Sequence, residues 1–168
     1  LYTEDDAPNP LNIYGSSKLM GENQVKQIAE NYLIFRLSWV YGIGSPNTFL
    51  SKLKQWSQNT DTLRIVDDEI SVPTSVRTIV EVTMKAIDKN LNGLYHLTNS
   101  GKASRWQWAT ALNAIANLNL NIIEAKSSEF NLPAKRPLES AMSNQKISNE
   151  LEINIPDWKE EIINFYNF

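Results

Sequence analysis

A tyrosine and a lysine four residues apart, Tyr14 and Lys18, have the clearest chemical use in this sequence. On a helix, residues i and i+4 project from the same face, so the phenol and the ammonium group can share one site. The positive charge of Lys18 would favour the phenolate form of Tyr14 and so ease proton transfer near neutral pH. This chemistry suits the proton donor of a carbonyl reduction. An exposed helix face without chemistry is the alternative, because six tyrosines and eleven lysines give about 0.4 such spacings by chance.

Six motifs follow one another along the chain and give the pair a context. They are Tyr2-Thr-Glu4-Asp5, the stretch from Pro10 to Glu22 that contains the pair, Arg36-Leu-Ser-Trp39-Val-Tyr41-Gly42, Val72-Pro73-Thr74, Gly93-Leu-Tyr-His96-Leu and Ala134-Lys-Arg136-Pro137. In this order they resemble the dTDP-4-dehydrorhamnose reductases, which are extended short-chain dehydrogenase/reductases. An ordered set is far more specific than any one of its members. The resemblance implies reduction of the 4-keto group of dTDP-4-dehydrorhamnose to dTDP-L-rhamnose with NADPH or NADH.

The resemblance also assigns roles to four side chains. Tyr14 matches the general acid, and Lys18 matches the residue that tunes it and holds the nicotinamide ribose, so both are expected to contact the cofactor. Trp39 lies where a predicted strand ends and matches a residue that faces the sugar, with a core tryptophan as the alternative. Arg136 offers a planar fork for a diphosphate oxygen of the nucleotide sugar, and a solvated arginine is its alternative.

A glycine-rich phosphate loop, which opens the chains of this family, is missing from these 168 residues. The six glycines are Gly15, Gly21, Gly42, Gly44, Gly93 and Gly101, and no three have the spacing that lets a backbone approach a pyrophosphate. The Ser or Thr that helps to polarise the substrate carbonyl in the family is missing as well. The sequence therefore resembles the C-terminal portion of a longer reductase, and we expect the 168 residues alone to be inactive.

Alternating strand and helix patterns predict an α/β fold. The resemblance makes it the late part of a doubly wound, Rossmann-type parallel sheet, residues 1–41 with 74–98, plus a small α/β substrate-binding domain, residues 42–73 and 99–168. The first body is incomplete in this chain. Apolar faces that would pack on the absent half should then be exposed, rearranged or covered by a second copy, which predicts a homodimer or other self-association.

Hydrophobic periodicity predicts the individual elements. Residues 12–31 form a helix with a buried face that includes Leu19, Met20 and Val25, and residues 32–40 form a parallel strand covered on both faces. The other predicted elements are a turn at 42–47, helices over 49–59, over a mostly buried 76–87, from the N-cap Ser104 and from Asp157, and strands over 63–66, 93–98 and 121–125.

Composition excludes several classes of function. The net charge is −3, and basic residues are scattered among acidic ones, so no stripe follows a nucleic-acid backbone. The absence of cysteine excludes disulfides, thiolate metal sites and cysteine nucleophiles, and fits a cytoplasmic location. No apolar run reaches the ~18 residues of a membrane span. Composition thus favours neither nucleic acid nor a membrane as a partner, and the resemblance implies a nucleotide sugar.

Other polar residues receive weaker assignments. His96 lies inside a predicted strand, which favours a hydrogen-bonded core histidine over a catalytic base. The acids Asp67, Asp68 and Glu69 can offer oxygen ligands to Mg²⁺, with an exposed turn as the alternative.

The sequence departs from the family pattern at a few positions. Glu69 and Ser71 replace Gln and Gly before the Pro-Thr pair, and Thr78 replaces an Asp after it. The family's Asn-Phe pair is split as Asn47-Thr-Phe49. These departures concern the substrate more than the reaction, and they leave open a non-catalytic regulatory or scaffold relative. An epimerase or dehydratase for nucleotide sugars, which shares Tyr14 and Lys18, is also left open.

Overall fold

Strands and helices alternate along the chain, which confirms the predicted α/β class. The computed structural model describes residues 1–42, 48–131 and 133–166. The helices of this part are α1 Ile13–Ile28, α2 Phe49–Ser57, α3 Val76–Asp88, α4 Arg105–Ile115, α5 Gln145–Leu151 and α6 Trp158–Tyr166, with a short 3-10 helix at Ser127–Glu129. The strands are β1 Leu33–Arg36, β2 Val40–Tyr41, β3 Thr62–Val66, β4 Ile70–Ser71, β5 Thr74–Ser75, β6 Gly93–His96, β7 Ala103–Ser104 and β8 Asn121–Ala125.

The strands pair two by two. Three pairs are parallel, namely β1 with β6, β2 with β5 and β3 with β8, whereas β4 and β7 are antiparallel. In the first pair, Leu33 lies opposite Gly93 and Arg36 lies opposite His96. Because parallel strands end at the same edge, the residues after Arg36 and after His96 meet there, which is where open α/β sheets bind ligands.

Side-chain caps fix where the helices begin. Asn12 accepts a hydrogen bond from the backbone N–H of Gly15 at 2.9 Å and is the N-cap of α1, two residues before Tyr14. Ser104 caps α4 as the sequence predicts, and Gln107 completes a capping box with it. α5 was not predicted, and the predicted turn lies outside the described residues except for Gly42.

Two hydrophobic clusters hold the structure together. The aromatic core is formed by α2, α4, α6 and their strands, with Tyr41, Trp108 and Trp158 as its largest buried side chains. The smaller core joins β1, α3 and β6 and includes Val82, Tyr95 and Leu97. Ile147 and Ile155 belong to this smaller core although they lie late in the chain. The division into two domains stays a prediction.

The apolar face of α1 is exposed, so the prediction that it is buried was wrong for this chain. α1 has no buried residue, and Met20 and Ile28 are 68% and 77% exposed. β1 is only half-buried at every position, and α3 leaves Val80 and Met84 more than half exposed. The cause is that β1 pairs with β6 alone in the described part of the chain. Of the three outcomes expected for these apolar faces, exposed, rearranged or covered by a second copy, the described residues show exposure.

Within the ranges that the structure describes, no helix is long and apolar enough to cross a bilayer.

Candidate active site

The predicted catalytic pair lines a large open cleft of about 1180 Å³. Its walls are α1 with Tyr14 and Lys18, the end of β1 with Ser38, the N-terminal residues 2–11 and the late segment from Pro137 to Met142. This volume exceeds the ~300–1,000 Å³ of most small-molecule sites. The cleft is therefore large enough for a sizeable organic ligand.

Tyr14 and Lys18 lie on one face of α1, as their spacing predicts. The Nζ atom of Lys18 is 5.5 Å from the centroid of the Tyr14 ring, and the tyrosine side chain is 71% exposed toward the cleft. A ligand can therefore reach the phenol without any rearrangement of the helix. The ammonium group is close enough to act on the phenol electrostatically.

Two contacts fix α1 relative to the rest of the cleft. At its start, the side chain of Asn12 donates a hydrogen bond to the backbone carbonyl of Lys135 at 2.9 Å. One turn beyond Lys18, Glu22 accepts hydrogen bonds from Lys26 at 2.7 Å and from Arg36 at 2.8 and 2.9 Å. Burial alone would raise the pKa of Glu22, but these hydrogen bonds outweigh it and the pKa is lowered. The carboxylate is therefore ionised and clamps the helix to β1.

His96 is a buried, hydrogen-bonded histidine at the wall of the cleft, which agrees with its sequence-based interpretation as a core histidine. Only 1% of the residue is exposed. Its Nδ1 atom lies 3.3 Å from the carbonyl of Tyr2, its Nε2 atom lies 3.4 Å from Arg36, and its backbone N–H donates to Glu4 at 2.6 Å. Burial lowers the pKa of His96. Its neutral ring thus ties the N-terminal segment to β6.

We expect this histidine to make folding stability depend on pH. Because its pKa is lower in the folded state than the ~6.5 of an unfolded chain, the unfolded state takes up the proton first. Stability should therefore fall as the pH drops below about 6.5, by at most about 1.4 kcal/mol per pH unit. Urea unfolding between pH 7.5 and 5 measures this slope, and His96→Gln should flatten it. An equal slope in both proteins would contradict the prediction.

Trp39 belongs to an aromatic stack beside the cleft. Its ring packs against Trp108 at 5.7 Å with an interplanar angle of 12°, and its backbone has φ +37°, which is uncommon for a bulky residue. The guanidinium carbon of Arg105 lies 3.9 Å from the ring centroid. Trp39 is half-buried, so it combines features of both interpretations, a core tryptophan and a residue at the sugar site.

Arg136 lies on the other side of the same region. Its Nη1 atom is 3.8 Å from the buried carboxylate of Glu69, and half of its side chain is exposed. Neither Trp39 nor Arg136 is among the described residues that line the cleft of Tyr14. Their neighbours in the chain do line it, namely Ser38, which precedes Trp39, and Pro137, which follows Arg136. The two predicted substrate residues thus form a second group at the border of the cleft.

Three serines connect these walls. The hydroxyl groups of Ser38 and Ser71 are hydrogen-bonded to each other. Ser140 donates to the Ser71 hydroxyl at 3.0 Å, and Ser71 lies within 3.2 Å of the Ser140 carbonyl. Ser71, which departs from the family pattern, therefore holds the end of β1 and the late wall of the cleft together.

The predicted Mg²⁺ site is not supported. Asp67 accepts a hydrogen bond from Ser104 at 2.8 Å, Asp68 accepts one from Ser127 at 2.8 Å, and Glu69 faces Arg136. Their carboxylates are thus engaged with different partners, and the described residues contain no group of three acids or histidines arranged for a metal. The alternative of an exposed turn is also wrong for Glu69, of which only 6% is exposed.

Arg105 and Asn12 were not recognised from the sequence. Arg105 is the first residue of a helix whose N-cap was predicted, and it precedes Trp106 and Trp108. The available signal was an arginine close in sequence to Trp106 and Trp108. The ring that Arg105 packs on belongs to Trp39, 66 residues earlier in the chain, so the contact could not be read from the local sequence. The sequence could identify Asn12 as a helix cap, but not as a hydrogen-bond donor to the backbone carbonyl of Lys135.

Comparison with known proteins gives consistent results. The family model described as RmlD substrate binding domain matches residues 1–167. The chain is 32% identical to the dTDP-4-dehydrorhamnose reductase of Escherichia coli K12 over 94% of this chain and 56% of that protein. It is 33% identical to the spore coat polysaccharide biosynthesis protein SpsK of Bacillus subtilis over 96% of this chain and 56% of that protein.

A solved structure agrees with these relatives. The dTDP-4-dehydrorhamnose reductase of Bacillus anthracis, solved in complex with NADP, matches with a TM-score of 0.94 and 31% identity over 99% of this chain and 59% of that one. The chain thus spans little more than half the length of the proteins it resembles, and it aligns with their C-terminal part.

Proposed function

The chain belongs to the RmlD substrate binding domain family, and on this premise we propose that it is part of a reductase of nucleotide sugars. The reaction is the reduction of the 4-keto group of dTDP-4-dehydrorhamnose to dTDP-L-rhamnose with NADPH or NADH. The observation that carries the proposal is the position of Lys18, whose Nζ atom lies 5.5 Å from the centroid of the Tyr14 ring, with both residues lining an open cleft. Tyr14 donates a proton to the carbonyl oxygen while hydride arrives from the nicotinamide.

The cofactor contacts follow from the same pair. Lys18 holds the nicotinamide ribose and stabilises the phenolate that remains after proton transfer. The hydride comes from the bound nicotinamide cofactor, while the chain supplies the proton and the orientation. The NADP complex of the Bacillus anthracis relative supports this choice of cofactor.

Trp39 and Arg136 are the proposed substrate residues. An aromatic ring beside the cleft offers a flat apolar surface for a sugar ring, and its neighbour Ser38 lines the cleft itself. The half-exposed fork of Arg136 suits a diphosphate oxygen. Both remain proposals, as does the predicted cytoplasmic location.

Turnover of a defined substrate tests the function. The proposed reductase should oxidise NADPH or NADH only when dTDP-4-dehydrorhamnose is present, with dTDP-L-rhamnose as the product. Absence of turnover with this and related keto sugars would sink the proposal. A matched control is dTDP-glucose, which has no keto group to reduce.

The 168 residues alone should bind no dinucleotide that calorimetry can detect and should be inactive. In this architecture the pyrophosphate of the dinucleotide cofactor is bound by backbone N–H groups of a glycine turn at a helix N-terminus, and none of the glycines here has that spacing. Lys18 alone contacts only the nicotinamide ribose. Titration with NADPH checks this, and tight binding would mean that the cofactor lies elsewhere.

We also expect the 168-residue chain to self-associate. The apolar side chains of α1 are exposed to solvent. One edge of β1 has no strand partner in the described structure. Both features favour association with a second copy. Sedimentation at micromolar concentration should show dimers or larger species. Replacing Met20 and Ile28 by lysine should shift the chain toward monomer, whereas Ile123→Lys on β8 should not. A monomeric wild-type chain would contradict the prediction.

A further inference from the structure

Arg105 lies in an aromatic box at the border of the cleft. Its guanidinium carbon is 3.9 Å from the ring centroid of Trp39, 5.3 Å from that of Phe49 and 5.6 Å from that of Trp108. The three rings hold the side chain by cation–π attraction and restrict its rotation. Such a guanidinium is preorganised, so little conformational freedom is lost when it binds a ligand.

The charge of Arg105 is not neutralised by a direct partner. In the part of the chain that the structure describes, the side-chain contacts found for its guanidinium are those with the three aromatic rings, and no hydrogen bond or ion pair is among them. Burial lowers the pKa of Arg105 to about 10, the nearby Glu69 opposes this change, and Arg136 adds to it. The group is therefore still charged at neutral pH. Glu69, whose carboxylate lies 3.8 Å from Nη1 of Arg136, acts on the charge of Arg105 without pairing with it.

This arrangement favours a bound anion. Two cations and one acid leave a net charge of +1, and the repulsion between the two guanidinium groups would be relieved by an anion with oxygens for both. A diphosphate has that form. The group is also continuous with the cleft of Tyr14, since Trp39 follows Ser38 and Arg136 precedes Pro137, and both neighbours line that cleft.

We propose that Arg105 is a substrate-binding residue that, together with Arg136, holds the diphosphate of the nucleotide sugar. The inference rests on the proposed function and adds to it a residue that no motif of the sequence identified. Held against Trp39, Arg105 also couples the diphosphate to the ring proposed to face the sugar. The keto carbon is thereby positioned relative to Tyr14 from the far end of the substrate.

Calorimetric titration of the full chain with inorganic pyrophosphate tests the proposal without cofactor or keto sugar. The wild-type chain should bind pyrophosphate more tightly than inorganic phosphate, because only pyrophosphate spans both arginines. Arg105→Met should weaken pyrophosphate binding by about 10- to 100-fold, as expected for loss of a charge-assisted pair. The pyrophosphate affinity of Arg105→Lys should lie between those of the wild type and Arg105→Met, since lysine keeps the charge but not the planar fork of donors.

A packing role for Arg105 makes the opposite prediction. Methionine fills the aromatic box nearly as well as the arginine stem, so a merely structural arginine would leave pyrophosphate affinity unchanged in Arg105→Met. The matched control is Arg64→Met, because Arg64 is 53% exposed and pairs with Glu129 on the outer face of β3. Circular dichroism of each variant verifies its fold.

The outcomes are separable from those of the proposed function. A wild-type chain that does not bind pyrophosphate, or an Arg105→Met variant that binds it as well as wild type, overturns the inference even if the reductase turns over. Loss of pyrophosphate binding in Arg105→Met but not in Arg64→Met supports it even if another keto sugar proves to be the substrate.

Discussion

Replacing Tyr14 by phenylalanine should lower the turnover of the reductase by about 10²–10⁴-fold, the usual contribution of a general acid. The phenylalanine ring keeps the shape of the cleft wall and removes only the hydroxyl group. Because the proton moves in the transition state rather than on binding, the affinity for the nucleotide sugar should change little. Steady-state and single-turnover rates of the variant measure the loss directly.

Two comparisons make the Tyr14 result specific. Tyr32→Phe removes a hydroxyl group from a half-buried tyrosine at the start of β1, outside the cleft, and should leave turnover unchanged. Lys18→Met should lower turnover and also weaken cofactor binding, since Lys18 is proposed to contact the ribose. If Tyr14→Phe retains most of the activity, the Tyr-Lys spacing has no chemical meaning in this protein.

The helix that carries the pair could be predicted because its signals are local. The Asn12 cap, the i and i+4 spacing and the apolar repeat all lie within α1. What the repeat could not reveal is whether its apolar face finds a partner. Periodicity predicts which face is apolar, but burial depends on what packs there, and Met20 and Ile28 find nothing in this chain.

The border of the cleft could be predicted only in part, because its contacts join distant segments. Trp39 and Arg136 were recognised through motifs, whereas the position of Arg105 on the Trp39 ring depends on how α4 packs against the aromatic core. Similarly, the carboxylates of 67–69 could be read as a metal site since their hydrogen-bond partners Ser104 and Ser127 lie far along the chain.

A partly buried ion pair anchors β2, the strand that directly follows Trp39. Glu161 of α6 is 1% exposed and accepts hydrogen bonds from Ser75 at 2.6 Å and from Arg77 at 2.6 and 3.1 Å. Ser75 ends β5, which pairs with β2, and the neighbouring N–H of Thr74 donates to the carbonyl of Trp39 at 3.2 Å. The pair thus connects the aromatic core to the border of the cleft.

Arg77→Ala should lower the free energy of unfolding by about 3 kcal/mol, because it leaves the buried carboxylate of Glu161 without its cation. We expect the lower end of the known range, since Arg77 itself is 31% exposed. Urea unfolding measures the loss, and Arg64→Ala, which breaks an exposed pair, should cost less than about 1 kcal/mol.

The double variant Arg77→Ala with Glu161→Gln separates the pair's own stability from the penalty of an unpaired charge. A neutral amide is less costly to bury than a carboxylate, and it can still accept the hydrogen bond from Ser75. The double variant should therefore be more stable than Arg77→Ala alone. If both are equally unstable, the loss comes from the packing of the arginine stem rather than from the stranded charge.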